Sequence, residues 1–274
     1  MQPVIKWSGS KRSQAENITS YIQKDYDTYY EPFCGSCAVL AYIIERENTL
    51  AKQFKNFICS DLNEDLINSY NFIKYNPEKV ISGYVNHWNE MNKESNSIDD
   101  KKEYFNFVRN RLNQTHNCAD VIFIMRTTVN GMPRYNLNGE FNNSFHVTRD
   151  GINPDKFEKI VLMWSNLLNK YNVQFVCQSF EKTNPSNNDF VYFDPPYENT
   201  KGMYFGGFNN NAFFSFLGDL QCDYAFSYDG ISGNQNLMSE VPKNLFKKHI
   251  MIKNGNSAFK RVDDSLTKFY EIVV

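Results

Sequence analysis

The sequence predicts an α/β protein whose central sheet is interrupted by a mostly helical insertion. A strand, a glycine-containing turn, a helix and a second strand follow one another over residues 28–61, which is the order of a nucleotide-binding βαβ unit. Residues 66–171 are then rich in Asn and Lys with helical spacing, and strand-like sequence returns near residue 173. We therefore expect residues 1–65 and 172–274 to form one discontinuous domain around a single sheet, and residues 66–171 to form an inserted domain.

The composition is that of a globular protein with a sizeable core. The 274 residues are 41% hydrophobic and 16% aromatic, which suits one large domain or two modest ones. The net charge of −2 argues mildly against a polyanionic ligand. Positive charge can nevertheless be concentrated on one face, so nucleic acid is not excluded.

The N-terminus and the cysteines indicate the compartment. The first 14 residues lack an apolar stretch, so no signal peptide is predicted. No apolar run approaches the roughly 20 residues that span a bilayer; we expect a cytoplasmic protein without membrane contact. The six cysteines are scattered, which predicts reduced thiols. Cys34 and Cys37 form a C-x-x-C pair, but the four histidines stand singly and no second Cys/His pair completes a zinc site. We expect no metal.

The first βαβ unit contains a candidate nucleotide site. Residues 28–33 are predicted to be a strand, 34–37 a turn, 38–50 a buried helix, and the sequence from residue 54 a second strand that ends at Asp61. An acid that ends the second strand, some two dozen residues after Gly35, is placed to bind ribose hydroxyls. The alternative is an ordinary packing unit with a solvent-facing aspartate.

The insertion contains a turn-rich segment at residues 121–145. Asn-Gly pairs at residues 130–131 and 138–139 predict turns. Arginine, asparagine and tyrosine side chains on such turns suit contacts with base edges and phosphates; a polar surface hairpin is the alternative. An amphipathic helix is predicted over residues 154–171. The candidate DNA contacts are Arg126, Asn130, Arg134, Tyr135 and Asn136.

A strand predicted at residues 190–193 runs directly into the sequence Asp-Pro-Pro-Tyr at residues 194–197. Pro195 and Pro196 cannot donate backbone hydrogen bonds and have a fixed φ, so strand pairing stops there. A carboxylate and a tyrosine ring are thereby held at the carboxyl edge of the sheet, where open α/β sheets bind ligands. The alternative is a proline-rich exit from a strand with a surface aspartate.

Six segments, in order, resemble the D12 class of DNA adenine-N6 methyltransferases, the family of the bacterial Dam enzyme. They are KWSGSK at 6–11, YYEPFCGSCAVL at 29–40, SDLNEDLINSY at 60–70, NGMPRYNLNGEFN at 130–142, DPPY at 194–197 and KRVDDSL at 260–266. The resemblance implies a Rossmann-like, S-adenosylmethionine-dependent methyltransferase sheet with an inserted target-recognition domain. It also implies double-stranded DNA as the substrate.

The resemblance further implies roles for individual residues. Trp7 and Lys11 would close over the donor, and Glu31, Phe33 and Gly35 would form the loop beneath it. Asp61 would hold the ribose, and Phe180 would lie against the adenine ring of the donor. Asp194 would contact both donor and target base, and the catalytic motif comprises Asp194, Pro195, Pro196 and Tyr197.

The sequence departs from the family pattern at several positions. Ser10, Ser36 and Cys37 replace glycines, and Val129 replaces the aromatic residue that usually precedes Asn-Gly in members that recognise GATC. The family's Pro-Phe-Gly is replaced within residues 143–148. GATC or a related short site is the first expectation for the target, although the changes at Val129 and at residues 143–148 lie in the recognition segment. A cognate restriction endonuclease is a candidate partner, in a bacterial or phage-infected cell, and the chain is expected to be a monomer or weak dimer.

Other activities are alternatives to adenine-N6 methylation of DNA. Cytosine-C5 methylation needs a Pro-Cys nucleophile, and no proline precedes a cysteine here. Cytosine-N4 and RNA-adenine methylation use the same acceptor geometry and stay open, as does methylation of a protein amide. A nicotinamide-dependent oxidoreductase would explain the βαβ unit but lacks its glycine fingerprint. A non-catalytic DNA-binding protein would have no need of Asp194 together with Tyr197.

Overall fold

The structure is a computed structural model that describes residues 1–22, 24–50, 53–196, 208–228, 231–232, 235–236, 241–253 and 269–273. Tyr197, predicted to be catalytic, lies outside the described residues, as does the segment at 260–266.

The described elements alternate between strands and helices at both ends of the chain and are helical in the middle. The strands are β1 Tyr26–Pro32, β2 Phe54–Asp61, β3 Gln174–Cys177, β4 Phe190–Phe193, β5 Asp223–Tyr228, β6 Ile231–Ser232, β7 Gln235–Asn236, β8 His249–Lys253 and β9 Phe269–Val273. The helices are α1 Ala15–Thr19, α2 Ala38–Glu47, α3 Glu64–Tyr75, α4 Pro77–Met91, α5 Ile98–Thr115, α6 Cys118–Thr127, α7 Pro154–Lys170 and α8 Asn210–Asp219.

Among the described residues, seven strands form the central sheet, in the order β3-β2-β1-β4-β5-β9-β8. The pairs from β3 to β5 are parallel, and β9 is antiparallel to both of its neighbours. The chain moves outward from β1 to β2 and β3, and then returns to place β4 on the other side of β1. This reversal between β1 and β4 opens a crevice at their carboxyl ends, where sheets of this type bind ligands. The predicted α/β fold is confirmed.

Aromatic residues fill the centre of the sheet. All four residues of β4 are buried, as expected for a strand that is covered on both faces. The rings of Tyr29 and Phe54 are 5.3 Å apart, and those of Tyr29 and Phe190 are 6.5 Å apart. The apolar run at residues 190–193 is a strand, as predicted, and it places Asp194 at the edge of the crevice.

Helix α3 joins the helical region to the sheet. It contacts β2 and β3, and the Tyr70 ring stacks on Phe175 at 4.8 Å. The boundary that the sequence predicted between residues 65 and 66 lies inside this helix. One continuous cluster of buried side chains runs from the sheet through α3 to α7. Phe141 and Phe145 of the turn-rich segment belong to this cluster, so that segment packs on the same core as the strands.

A buried polar cluster holds α4, α5 and α6 together. His87 Nε2 lies 2.9 Å from Asp120 Oδ1, and the Arg111 guanidinium donates to both oxygens of Asp120 at 2.7 and 2.8 Å. His87 Nδ1 lies 2.9 Å from the Tyr104 hydroxyl. Because each polar group of this cluster has a partner, the cluster fixes the helices without leaving an unsatisfied charge. Among the described helices, none combines the length and apolar character needed to cross a membrane.

The turn-rich segment folds back on itself and is called here the hairpin segment, residues 128–145. Thr128 pairs with Phe145 and Tyr135 pairs with Phe141 in antiparallel bridges. The side-chain oxygen of Asn136 accepts hydrogen bonds from the backbone N–H groups of residues 138 and 140, which closes the tip. The prediction of turns at both Asn-Gly pairs agrees with positive φ angles at both glycines, 60° at Gly131 and 79° at Gly139.

Candidate active site

A cavity lies at the carboxyl ends of β1, β2 and β4. Its walls come from residues 7–11, the loop at 33–36, residues 61–63, the hairpin segment, and the start of α8. The cavity brings together every described residue that the sequence predicted to bind the cofactor, and also Pro195 and Pro196; the cofactor set is Trp7, Lys11, Glu31, Phe33, Gly35, Asp61, Phe180 and Asp194.

The loop after β1 has an unusual backbone. Phe33, Gly35 and Cys37 have φ angles of 64°, 45° and 50°, in the left-handed region that favours glycine. A Cβ atom at Gly35 would lie 2.9 Å from Trp7 Cδ1. Only glycine therefore allows the indole to pack on this turn, and the loop and the N-terminal segment form one wall of the cavity.

Two serines that replace family glycines bond to each other. Ser36 Oγ donates to Ser10 Oγ over 2.8 Å, which links the loop after β1 to the N-terminal segment. Serine is small enough to permit close approach of the backbone at these two positions. Their pairing could not be found from the sequence, because the two positions lie on separate segments whose approach depends on the packing of Trp7.

Asp61 ends β2 and faces the cavity. Its Oδ2 accepts from the backbone N–H of Gly35 at 3.2 Å, and its Oδ1 accepts from that of Asn63 at 3.0 Å. Burial raises the pKa of Asp61, and the backbone N–H groups oppose that shift. An ionised carboxylate has about four acceptor positions, so both oxygens can still accept hydrogen bonds from a ligand's hydroxyl groups.

Asp194 follows β4 and pairs with Lys11. The Lys11 Nζ atom lies 2.6 and 2.7 Å from the two carboxylate oxygens, and it also donates to the Gly9 carbonyl at 3.2 Å. The Lys11 side chain is 5% exposed and that of Asp194 is 21% exposed. This ion pair stabilises the negative charge of Asp194 and fixes the carboxylate in the cavity. Pro195 and Pro196 have no N–H, so they add hydrogen-bond acceptors to the rim but no backbone donors.

Aromatic rings form the opposite wall. Phe33 stacks on Phe180 at 5.3 Å, and Phe208 meets the Phe33 ring edge-on at 5.7 Å. Flat apolar walls of this kind suit the faces of a planar heterocycle. The strand-like sequence that begins near residue 173 continues to residue 180, but β3 ends at Cys177 and Phe180 begins a short 3-10 turn. This turn places Phe180 in the wall of the cavity.

Glu31 is a buried carboxyl group at the base of the cavity. It is 3% exposed, and its Oε2 accepts from the Tyr29 hydroxyl at 2.7 Å and from the backbone N–H of Leu40 at 2.8 Å. Burial raises the pKa of Glu31 from 4.5 to about 8, more than these two hydrogen bonds lower it. Glu31 is therefore mainly neutral at pH 7.

Glu31 is expected to make the stability of the protein fall as pH rises. The folded protein keeps a proton on Glu31 that the unfolded chain loses above pH 4.5, so this stabilisation is complete below pH 4.5 and is lost between there and about pH 8. Each pH unit in that interval costs about 1.4 kcal/mol. The unfolding free energies of wild type and Glu31→Gln are measured by urea denaturation from pH 5 to pH 8.5. Over this range the unfolding free energy of wild type should fall by several kcal/mol relative to that of the variant. Parallel pH profiles would contradict the assignment.

The fold places the residues that were predicted to contact DNA in different environments. Arg134 is exposed on the hairpin segment, and Asn130 is partly exposed at a turn with a φ of 60°. Asn136 uses its side chain to build the hairpin tip, and its Nδ2 donates to Glu140 at 2.8 Å. Tyr135 lies in the wall of the cavity rather than on the outer surface.

Arg126 corrects the sequence prediction. It is 5% exposed, and its guanidinium donates to the carbonyls of Val4 and Pro3 at 2.7 and 2.6 Å. It lies over the Phe157 ring at 5.4 Å, and burial lowers its pKa to about 10. The prediction that Arg126 contacts DNA is therefore wrong; this side chain fastens the N-terminal segment to α6.

Sequence reasoning missed several cavity residues, among them Asn63, Pro133 and Tyr192. The Tyr192 hydroxyl lies 2.7 Å from Ser227 Oγ. Of these three, only Asn63 had a signal in the sequence, since an asparagine followed by two acids is typical of a helix start. Its Oδ1 indeed caps α3 by accepting from the backbone N–H of Leu66 at 2.9 Å. Within the part of the chain that the structure describes, no group of His, Cys, Asp or Glu side chains is arranged to hold a metal ion.

Comparison with known proteins identifies the family. The pattern of the D12 class N6 adenine-specific DNA methyltransferases matches residues 7–263. The type II methyltransferase M.MjaIII of Methanocaldococcus jannaschii is 32% identical over 214 residues, which are 72% of this chain and 70% of that protein. The type II methyltransferase M1.LlaDCHI of Lactococcus lactis is 28% identical over 199 residues, 72% of this chain and 66% of that protein.

A third relative matches over the whole chain. The DNA adenine methylase of Haemophilus influenzae is 25% identical over 285 aligned positions, which cover 100% of this chain and 86% of that protein. The family and the names of these relatives confirm the predicted adenine-specific methyltransferase activity. The parallel sheet, with its crevice between β1 and β4, agrees with the predicted Rossmann-like fold. The chain belongs to the D12 class of N6 adenine-specific DNA methyltransferases.

Proposed function

We propose that this enzyme transfers the methyl group of S-adenosylmethionine to the N6 amine of an adenine within a short sequence of duplex DNA. One observation carries the proposal: the Asp194 carboxylate and the Pro195–Pro196 pair share a single cavity with Asp61 and with the aromatic pair Phe33–Phe180. The cavity thus offers acceptors for an amino group on one side and a nucleoside-binding wall on the other.

The residues of the cavity fit S-adenosylmethionine. Asp61 has acceptor positions left for ribose hydroxyls after its two backbone hydrogen bonds. Phe33 and Phe180 offer apolar ring faces to the adenine. Glu31 lies at the base, where ionisation of its carboxyl would be favoured by a bound cation. When bound, S-adenosylmethionine supplies an electrophilic methyl group on its sulfonium.

The chain's own contribution to the chemistry is alignment of the target amine. The adenine amine is a poor nucleophile because its lone pair is delocalised into the ring. Asp194 and the carbonyl of Pro195 can each accept one amine hydrogen, which localises the lone pair and directs it at the methyl group. Asp194 can also receive the proton that the alkylated amine releases. Alignment of two reactants can contribute on the order of 7–11 kcal/mol.

Lys11 holds the Asp194 acceptor in place through two contacts of 2.6 and 2.7 Å. A base inside a duplex cannot reach this carboxylate, so the target adenine must leave the helix, at a cost of a few kcal/mol. Tyr197, the last residue of the catalytic motif, is predicted to supply a stacking face for that base.

Arg134 is the candidate for base readout. It is exposed on the hairpin segment, and guanidinium groups bind guanine O6 and N7 in the major groove. Arg134→Ala should lower discrimination between the target and single-base variants by about 1–3 kcal/mol, or roughly 5- to 150-fold in kcat/KM. Lys159→Ala, which removes one positive charge from the exposed face of α7, is the matched control and should leave discrimination unchanged. Wild-type discrimination in Arg134→Ala would exclude this role.

The target sequence and the biological setting extend the proposal. GATC is the first candidate sequence, and the type II relatives suggest a cognate restriction endonuclease as partner. Methylation-sensitive sequencing of DNA from an expressing host would identify the methylated site directly.

The proposed reaction is tested by radiolabelled methyl transfer. Tritiated S-adenosylmethionine is incubated with duplex DNA, single-stranded DNA and RNA of the same sequence, and the nucleosides are separated after digestion. Label in N6-methyladenine from the duplex is expected. Label in N4-methylcytosine, or preferential labelling of RNA, would contradict the proposal and support the alternatives that share this acceptor geometry.

A further inference from the structure

Tyr135 belongs to the hairpin segment but forms part of the cavity wall. It follows Arg134 directly, and its ring lines the same cavity as Asp61 and Asp194. Its hydroxyl accepts a hydrogen bond of 2.6 Å from Asn63 Nδ2. Tyr135 is thus adjacent in sequence to Arg134, the candidate base-reading residue, but its hydroxyl contacts Asn63 inside the cavity.

Asn63 continues this contact to the proposed donor site. Its backbone N–H donates to Asp61 Oδ1 at 3.0 Å, and Asp61 Oδ2 accepts from the backbone N–H of Gly35 at 3.2 Å. The side-chain oxygen of Asn63 is used to cap α3 through the backbone N–H of Leu66. The amide orientation is therefore fixed, and its Nδ2 group is directed at Tyr135.

The other side of Tyr135 is fixed within the hairpin segment. Tyr135 pairs with Phe141 in an antiparallel bridge, and their rings meet edge-on at 5.8 Å. The Asn113 side chain on α5 holds the backbone of Phe141 with hydrogen bonds of 2.8 and 2.9 Å. A shift of Asn63 or Asp61 on ligand binding would therefore move the hairpin segment through Tyr135.

We propose that Tyr135 is a positioning residue that couples binding of the methyl donor to binding of duplex DNA. The inference rests on the proposed function of the cavity. A ligand that binds Asp61 stabilises this arrangement of Asp61, Asn63 and Tyr135 relative to states in which their hydrogen bonds are broken, so the duplex meets a hairpin segment that is already in place. Because binding free energies are reciprocal, the duplex raises the affinity for the donor by the same factor.

The coupling is measured with S-adenosylhomocysteine, the unreactive demethylated donor. Calorimetric Kd values are obtained with and without a saturating duplex that the wild-type enzyme methylates. For wild type the duplex should tighten binding by about five-fold or more. For Tyr135→Phe, which removes only the hydroxyl, this ratio should fall to within about two-fold of unity while the Kd without duplex changes little.

The matched control is Tyr26→Phe, which removes a hydroxyl that donates to Asp223 at 3.0 Å outside the cavity. It should keep the wild-type ratio. The inference would be overturned if Tyr135→Phe tightened its binding of S-adenosylhomocysteine on adding duplex as much as wild type does. It would also be overturned if Tyr135→Phe lost the same affinity with and without duplex, because Tyr135 would then only contact the ligand. A wild-type ratio near unity would also overturn the coupling but not the proposed function; lack of methyl transfer by wild type would overturn the function itself.

Discussion

Asp194→Ala is expected to lower kcat for methyl transfer by about 10³-fold, because preorganised polar groups at the reacting atoms are worth about that much. The substitution removes the acceptor that orients the target amine. Asp194→Asn retains one acceptor oxygen but loses the charge, so its activity should lie between those of wild type and the alanine variant. Rates are measured with tritiated donor and duplex DNA under single-turnover conditions, which isolate the chemical step from product release.

A second effect must be separated from the first. Asp194→Ala leaves Lys11, 5% exposed, without its carboxylate partner, and removing one member of a largely buried ion pair destabilises the fold. The double variant Asp194→Ala with Lys11→Met removes the isolated charge. It should regain thermal stability relative to Asp194→Ala but no activity. Full methyl transfer in Asp194→Ala, or recovery of activity in the double variant, would refute the acceptor role.

Asp61→Ala is expected to raise the Kd for S-adenosylmethionine by about 10²- to 10⁴-fold. A hydrogen bond to a charged group contributes about 1.5–3 kcal/mol, and a ribose presents two hydroxyls to this carboxylate. The substitution also removes the acceptor for the backbone N–H groups of Gly35 and Asn63, at 3.2 and 3.0 Å, so the loop after β1 loses support. The Kd is measured by calorimetry.

The control for this prediction is Asp61→Asn, which has the same shape but only one acceptor oxygen. Its affinity should fall between those of wild type and Asp61→Ala. Duplex binding without donor should be similar in all three proteins, because Asp61 faces the cavity and not the exposed side of the hairpin segment. An unchanged donor Kd in Asp61→Ala would exclude Asp61 from the donor site.

Local patterns predicted the first four strands well. The apolar run at 190–193 is β4, because four apolar residues before two prolines have few alternatives to a short buried strand. Helix α2 begins at Ala38, as predicted, but ends at Glu47 rather than at residue 50. The end of a helix depends on contacts with its neighbours, and helix ends are therefore predicted less well than their interiors.

Side chains of the inserted region were predicted less well. Arg126, Arg134 and Tyr135 belong to one turn-rich segment of the sequence, yet Arg126 is buried, Arg134 is exposed and Tyr135 lines the cavity. The composition of a turn-rich segment indicates what its side chains can bind. It does not indicate the direction in which each side chain points, since that depends on how the segment packs against α5, α6 and the N-terminal residues.

The sequence by itself determined the order of strands and helices, the family, and the residue types of the site, because these follow from short-range patterns of apolar residues, glycines and prolines. Only the tertiary structure decided which distant groups meet. Lys11 pairs with Asp194 across 183 positions, and Asn63 bonds to Tyr135 across 72. Such contacts depend on the packing of whole elements around the core, and no local pattern in the chain specifies them.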